Sequence, residues 1–457
     1  MTEHTLRRDF LKKTATIATG ATLGWHASGA PTVKPVLGAN EKIRMGFIGI
    51  GNRGSQLLDR FIANKDVEAV ALCDVYEPYL NRDFSAVSPR IINQIGERRV
   101  PKMQEQLGKV DRYSDYRKVL ERKDIDAVCI ATPDHWHAIQ TIQALDAGKD
   151  IYVEKPLTIA LREGRKMVEA AAKTDRIVQV GLNRRGSQIY QQLAKEVQNG
   201  RIGKVSIAHA YRISNMYPDG IGRRQSEDPP PGFDWDMWLG PRAYRPFQIN
   251  IAPYSFRWWK DYSTQMGNWG VHYMDAIRWM LGETAPVAIN AQGGQYVLND
   301  DRTIPDTMQV TFEFASGVIV NFGVYEANGG AMISNGEIEL RGSKGNLIVK
   351  QDEYRFFPTG AGQFQDRGEL IEASEFSLED EDSSANMIRN FLDCVKSRGK
   401  VWCSLEEGHR STSFAHLANI ALEVGQRIQW DPVNEKITNI ASANDLLDYE
   451  YRKPWSL

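Results

Sequence analysis

Residues 43–54 read IRMGFIGIGNRG, an apolar run that gives way to glycines at Gly49, Gly51 and Gly54, with a helix-like stretch from Ser55 to Ala63 directly behind it. That order is a strand, a G-x-G-x-x-G turn and a helix. The first glycine permits a tight turn, the second lets the backbone approach a pyrophosphate, and the third brings helix and strand close together. The helix N-terminus adds unpaired amides and the positive end of its dipole. Asn52 and Arg53 lie inside the turn and join the expected phosphate-facing set. A second apolar run, VEAVALCD, ends on Asp74, at the distance where a carboxylate accepts hydrogen bonds from the adenosine ribose hydroxyls and repels a 2′-phosphate. Val75 and Tyr76 follow it, and no arginine does. The segment therefore predicts a dinucleotide site that favours NAD over NADP.

Outward from this turn, the strand-like runs DAVCIATP, DIYVEKP and RIVQVGL alternate with helix-like stretches as far as Leu182, which is the pattern of βαβ units in a parallel sheet. Residues 77–111 are polar and charged and read as an insertion or a pair of surface helices. Beyond residue 182 the texture changes. A helix is predicted over 188–198 and a strand over GKVSIAHAYR, and residues 215–265 are rich in Pro, Gly, Trp and Tyr with little periodicity, which suits long loops around a pocket. The runs TMQVTFEF, GVIVNFGVYE and GEIELRGSKGNLIVK alternate and are separated by glycine-containing turns, as antiparallel strands do. An acidic stretch over 369–382 reads as solvated, and two helical runs, MIRNFLDCVKS and HRSTSFAHLANIALEVGQ, follow it. The expected organisation is α/β: a targeting segment and linker over 1–39, a Rossmann dinucleotide-binding domain over 40–182, and a sheet-rich substrate domain over 183–457.

Composition narrows the partners. The 457 residues are 42% hydrophobic and 25% charged with a formal net charge of −2, an ordinary globular balance that lacks the basic field needed to attract nucleic acid. Cys73, Cys129, Cys394 and Cys403 show no CxxC spacing, so buried thiols are expected rather than a metal or disulfide framework. At the N-terminus, Arg7 and Arg8 precede Phe10, Leu11 and Lys12, then an uncharged run and small residues, with cleavage expected after Ala30 or Ala39. This order predicts a twin-arginine export signal and a periplasmic or otherwise exported protein. No other segment approaches the length of an apolar membrane span.

Three further segments carry the chemistry. ATPDHWHA, residues 131–138, ends the strand DAVCIA, where a parallel sheet binds ligands at its carboxyl edge. Thr132, Pro133, His135 and His137 are therefore expected beside the nicotinamide half. The two histidines form an HxH, but no third ligand stands at a diagnostic spacing, so no metal is expected. VEKP, residues 153–156, ends the next strand and sends Glu154 and Lys155 toward the same edge; a lysine beside a cationic nicotinamide has its pKa lowered toward useful values. In GNWGVHYMDAIRWMLG, residues 267–282, His272 and Asp275 are three apart on one helical face and Asn268 lies one turn earlier. The dense Trp and Tyr around them suit the gripping of a sugar ring, although the same aromatics could simply be core.

Taken in order, the glycine turn with Asp74, the TPDHWH and EKP segments, and GxHxxD resemble the Gfo/Idh/MocA oxidoreductases over roughly residues 42–431. The resemblance implies a Rossmann domain followed by an α/β domain on a large, mostly antiparallel sheet, with the active site between them. It also implies that Lys155 and His272 flank the substrate carbon whose hydroxyl is oxidised. Many dehydrogenases of the family have an aspartate four residues before that histidine. Here it is Asn268, an amide that orients a hydroxyl but cannot take its proton, so the base role falls on His272 or Lys155. The GNxGxH variant is also similar to the NAD-dependent α-N-acetylgalactosaminidases, which oxidise sugar C3, eliminate the aglycone across C2, add water and return the hydride. The leading expectation is an oxidoreductase acting on a secondary hydroxyl of a sugar, cyclitol or glycoside with tightly bound NAD. The alternatives are the redox-neutral glycosidase and a non-catalytic sugar-binding protein that keeps the dinucleotide. A homo-oligomer is a further expectation of the resemblance.

Overall fold

Strands without a period-two alternation pair in parallel. β1 (Ile43–Ile48), β2 (Val67–Cys73), β3 (Asp111–Tyr113), β4 (Ala127–Ile130), β5 (Asp150–Val153) and β6 (Val178–Val180) form a six-stranded sheet in the order β3-β2-β1-β4-β5-β6, with all neighbours parallel. β4 and β5 are buried along their whole length, because helices cover both faces of such a sheet. This computed structural model describes residues 41–457 apart from 104–106, 335, 361 and 365–369. The expected twin-arginine segment lies outside the described residues. Among them, no helix is long and apolar enough to cross a membrane.

The second sheet grows from strands with period-two patterning. It joins β7 (Val205–Ile213), β8 (Ala288–Gly294), β9 (Thr307–Glu313), β10 (Ile319–Tyr325), β11 (Ile338–Gly342), β12 (Gly345–Val349), β13 (Glu353–Pro358), β14 (Ser374–Ser377), β15 (Ile428–Asp431) and β16 (Lys436–Ile437). The order is β14-β13-β12-β11-β7-β10-β9-β8-β15-β16, antiparallel except between β7 and β10. In β9, Met308, Val310 and Phe312 are buried while Thr307, Gln309, Thr311 and Glu313 are half-buried, so one face of the sheet meets helices. Phe312 meets Phe414 of helix Leu405–Val424 edge to face at 5.1 Å, and each such ring contributes about 1.5–3 kcal/mol by leaving water. The expected fold class is the observed one.

Two features differ from the sequence expectation. Residues 77–111 are not a surface helix pair: the helices Glu77–Asn81 and Pro89–Ile95 are short, and Tyr79, Ile91 and Ile95 are buried in one cluster with Phe233, Trp235, Trp238, Phe247 and Tyr262 from the aromatic loops. Their polar residues disguised the few apolar ones that pack. Helix Ser383–Ser397 also crosses back: Ile388, Phe391 and Leu392 join Met45, Phe47 and Phe61 in the core of the first sheet, with Phe391 and Phe61 ring centroids 6.2 Å apart. The break near residue 182 thus separates the two sheets but not the two cores.

Candidate active site

The glycine turn takes the conformation that its spacing demands. Gly49 has φ of +80°, and a Cβ there would sit 2.7 Å from the Thr132 amide nitrogen, while a Cβ on Gly54 would overlap the Gly49 carbonyl oxygen. At Gly51 nothing lies nearer to a built Cβ than the Tyr79 ring at 3.8 Å, and helix Asn52–Ile62 has no side-chain cap, so its first amides remain for a phosphate. Asp74 accepts hydrogen bonds from the amides of Ile50 at 2.9 Å and Tyr76 at 3.0 Å, and burial raises its carboxyl to about 6. The Asn52 side chain donates to the Arg99 carbonyl at 3.0 Å. Arg53 pairs with Glu154 at 2.8 Å, tying the turn to the end of β5. These groups fit a dinucleotide, and they line a cavity of about 680 Å³, within the range of cofactor and ligand pockets.

The same cavity is lined by Thr132, Pro133, Lys155, Asn268 and His272. Lys155 follows β5 and donates from Nζ to the Asn268 carbonyl oxygen at 2.7 Å and to Asn268 Oδ1 at 3.3 Å. Burial brings its pKa down to about 8, opposed by Glu154 and Asp134. Asn268 is presented by a π-turn, Met266–Gly270, that leads into helix Val271–Leu281; such an insertion re-aims side chains and recurs at functional sites. His272, in the first turn of that helix, has Nδ1 buried without a partner. Burial, and then the neighbouring cations Lys155, Arg184 and Arg53, hold it well below the usual histidine range, so it is a neutral imidazole at pH 7. A lysine from one domain and a histidine from the other therefore face one space.

Three predicted residues are placed elsewhere. His135 donates from Nε2 to the Trp238 carbonyl at 2.9 Å, and His137 engages the carbonyls of Pro156 and Thr132 at 2.8 and 2.9 Å; both are buried off the cavity and bind backbone, not cofactor. Asp275 is fully buried and accepts from Arg185 at 2.8 Å and from Ser411 Oγ at 2.6 Å. Spacing put Asp275 on the face of His272, but that face turns from cavity to core within one helical turn. Asp275 holds the helix in place and does not reach the site.

Other residues of the site carried no sequence signal. Asp134, buried and raised by burial, lines the wall with its carboxylate held by the Ser263 hydroxyl. Asn183 Oδ1 and Gln265 Nε2 are buried without partners on the same wall, and native proteins leave such atoms unpaired mainly where a ligand or water completes them. Arg212, Arg257, Trp258, Trp269 and Glu326 arrive from β7, the loops and the end of β10. For Arg257 and Trp258 only the aromatic density of residues 215–265 gave a hint, and it mixed cavity rings with core rings such as Trp259 and Tyr262, which are buried. All four cysteines are buried and free.

Comparison with known proteins places the two sheets. Residues 43–182 match the NAD-binding Rossmann fold of the Gfo/Idh/MocA oxidoreductase family, and residues 190–457 match that family's C-terminal α/β domain. Over 183 residues the chain is 33% identical to an alpha-N-acetylgalactosaminidase of Shewanella oneidensis and 32% identical to glycosyl hydrolase family 109 protein 1 of Shewanella sp. strain ANA-3. Each match spans 37% of this chain and 38% of the relative. The fold is shared with levoglucosan dehydrogenase in complex with NADH and levoglucosan, at 17% identity and a TM-score of 0.59 over 85% of this chain and 99% of that one. It is also shared with the aldose-aldose oxidoreductase of Caulobacter crescentus complexed with glycerol, at 15% identity and a TM-score of 0.58 over 85% and 100%.

Proposed function

The chain belongs to the Gfo/Idh/MocA oxidoreductase family, and from that premise we propose that it oxidises or reduces a secondary hydroxyl of a sugar, cyclitol or glycoside. The observation that carries this reading is Lys155 meeting Asn268 and His272 on a cavity that also holds the glycine turn. When bound, the nicotinamide supplies an acceptor or donor of hydride at the carbinol carbon.

Lys155 is the proton carrier. With its pKa near 8, its amine exchanges a proton with the substrate hydroxyl close to the working pH, where general-base catalysis is most effective. Asn268 takes up donor capacity on Nζ and aims the lone pair into the cavity. His272, kept neutral, is a weaker base and orients the hydroxyl through hydrogen bonds. Asn183 and Gln265, with unpaired polar atoms on the wall, complete the hold on the sugar. The Asp74 carboxylate supports NAD over NADP. The Arg7–Arg8 pair supports export by the twin-arginine route with the cofactor already in place.

A second reading has its own support in the 33% identity to an alpha-N-acetylgalactosaminidase. The same proton carrier would serve a glycosidase that restores its cofactor within each turnover. One experiment separates the two: incubate the purified protein with NAD and a panel of sugars and aryl glycosides, following reduced nicotinamide absorbance and aglycone release together. Reduced cofactor without aglycone supports the oxidoreductase; aglycone without net reduction supports the glycosidase. Turnover left unchanged by Lys155→Ala and His272→Ala would refute both assignments.

A further inference from the structure

Among the described residues, neither Arg212 nor Arg257 on the cavity wall makes a salt bridge to a carboxylate. Arg212, near the end of β7, lies over Trp269 with Cζ 3.6 Å from the indole centroid, and its Nε is buried without a hydrogen-bond partner. Stacking occupies the face of the planar fork and leaves its in-plane N–H groups for an acceptor. Arg257 stacks on Tyr254 and Phe256 at 4.4 and 4.5 Å and donates from Nη1 to the Tyr254 carbonyl oxygen. Burial lowers its pKa, only partly opposed by the more distant Asp134 and Glu154 carboxylates, neither of which makes a salt bridge to it.

The carboxylates on the same wall are committed elsewhere. Glu154 pairs with Arg53, and Asp134 is held by the Ser263 hydroxyl. Glu326 accepts from Trp258 Nε1 at 2.9 Å and from Arg302 at 2.7 Å; burial raises it to about 7, so it supplies only part of a negative charge at neutral pH. With Lys155 added, the proton-handling part of the cavity holds more cations than anions, and a desolvated cation is costly until an acceptor faces it.

The contacts separate Arg212 from the phosphate-binding amides. Those amides belong to the glycine turn, whereas Trp269, which carries Arg212, follows Asn268 in the π-turn and lies 6.2 Å from the His272 ring.

We propose that the substrate is an acidic sugar, a uronic acid or its glycoside, whose carboxylate is received by Arg212 with Arg257 as the second donor while a secondary hydroxyl meets Lys155. The proposal rests on the oxidoreductase reading of this cavity and adds the substrate class to it. Planar, charge-assisted pairing of this kind discriminates against an uncharged analogue, because the guanidinium would otherwise stay desolvated and unpaired.

The test is calorimetric titration of the NADH-loaded protein with D-glucuronate, D-galacturonate and D-mannuronate, each against its neutral parent aldose, with NAD-dependent turnover of the same six sugars measured alongside. At least one acid is expected to bind about tenfold or more tightly than its parent. Arg212→Met should bring that ratio to within about twofold while NADH affinity stays as in the parent protein; Arg257→Met should reduce the ratio partway. If no acid binds more tightly than its parent, or if Arg212→Met weakens acid and parent alike, the proposal is overturned. Turnover of neutral sugars without preference for the acids would leave the oxidoreductase reading standing and remove the acidic subsite. Absence of turnover with all six, alongside tight binding of an acid, would keep the subsite and remove that reading.

Discussion

ATPDHWHA and GNWGVHYMD look alike on paper: each follows a structured element, each sets histidine beside an acid, and each lies near the junction of the two domains. In space they differ. The first spends the ring nitrogens of His137 on the carbonyls of Pro156 and Thr132 and Nε2 of His135 on Trp238. The second leaves His272 Nδ1 without a partner beside the cavity and turns its acid, Asp275, into an ion cluster with Arg185. Since His135 Nδ1 is also without a partner, what sets His272 apart is that its ring lines the cavity. The two acids swap roles in the same way, since Asp134 lines the cavity and Asp275 does not.

The strongest way to break this contrast is at its chemical end. Lys155→Met should lower kcat by about 10²–10⁴-fold, the usual worth of a positioned proton carrier, with the melting temperature retained; a loss below tenfold in single-turnover assays would remove Lys155 from the proton path. At the structural end, Asp275→Ala leaves buried Arg185 with Glu407 as its one remaining carboxylate, and breaking a buried pair costs about 3–5 kcal/mol, readable as a lower denaturation midpoint. His137→Leu removes the ring N–H donor that faces the buried carbonyls of Pro156 and Thr132, at about 1–3 kcal/mol for a carbonyl left unpaired. It should lower stability while kcat at saturating sugar changes little, and a selective loss of kcat in a stable protein would place His137 back in the chemistry.

Smaller effects sharpen the picture through pH. Because the Lys155 pKa lies near 8, its free amine is scarce below that pH and dominant above it, so oxidation should rise with pH and level off past about 8. Asn268→Asp puts a carboxylate at the atom now 3.3 Å from Nζ. That favours the charged lysine and should move the inflection about one unit more alkaline, the equivalent of about 1.4 kcal/mol; an unmoved inflection would assign it to another group. Asp74, raised to about 6, is ionised above that pH and protonated below it. Its pairing with ribose hydroxyls should therefore weaken as pH falls, with the NADH dissociation constant rising about tenfold by pH 5 and the trend flattened in Asp74→Asn.

Legibility followed the range of the interactions. The glycine turn could be read because its constraints are local: Gly49 needs a positive φ and Gly54 must clear the Gly49 carbonyl, and both demands are met within six residues. Lys155 could be read because a strand end of a parallel sheet fixes where its side chain emerges. The packing of residues 77–111, read as an insertion or a surface helix pair, was not legible because a few apolar positions, Tyr79, Ile91 and Ile95, matter more for it than the many charges around them. Arg212 gave no signal at all, since its meaning depends on Trp269, which is distant in sequence and joined to it only by the fold.

By itself, then, the sequence determined the two-sheet α/β plan, the dinucleotide turn with its acid, and the lysine at the sheet edge, each set by backbone sterics and short-range periodicity. The tertiary structure alone decided that the His272 ring lines the cavity, that Asp134 lines it while Asp275 is buried away from it, and that Arg212 and Arg257 stand on its wall without a salt-bridged carboxylate. Those outcomes depend on which distant groups complete a hydrogen bond or an ion pair, and neither the order of residues nor their spacing along one element encodes that.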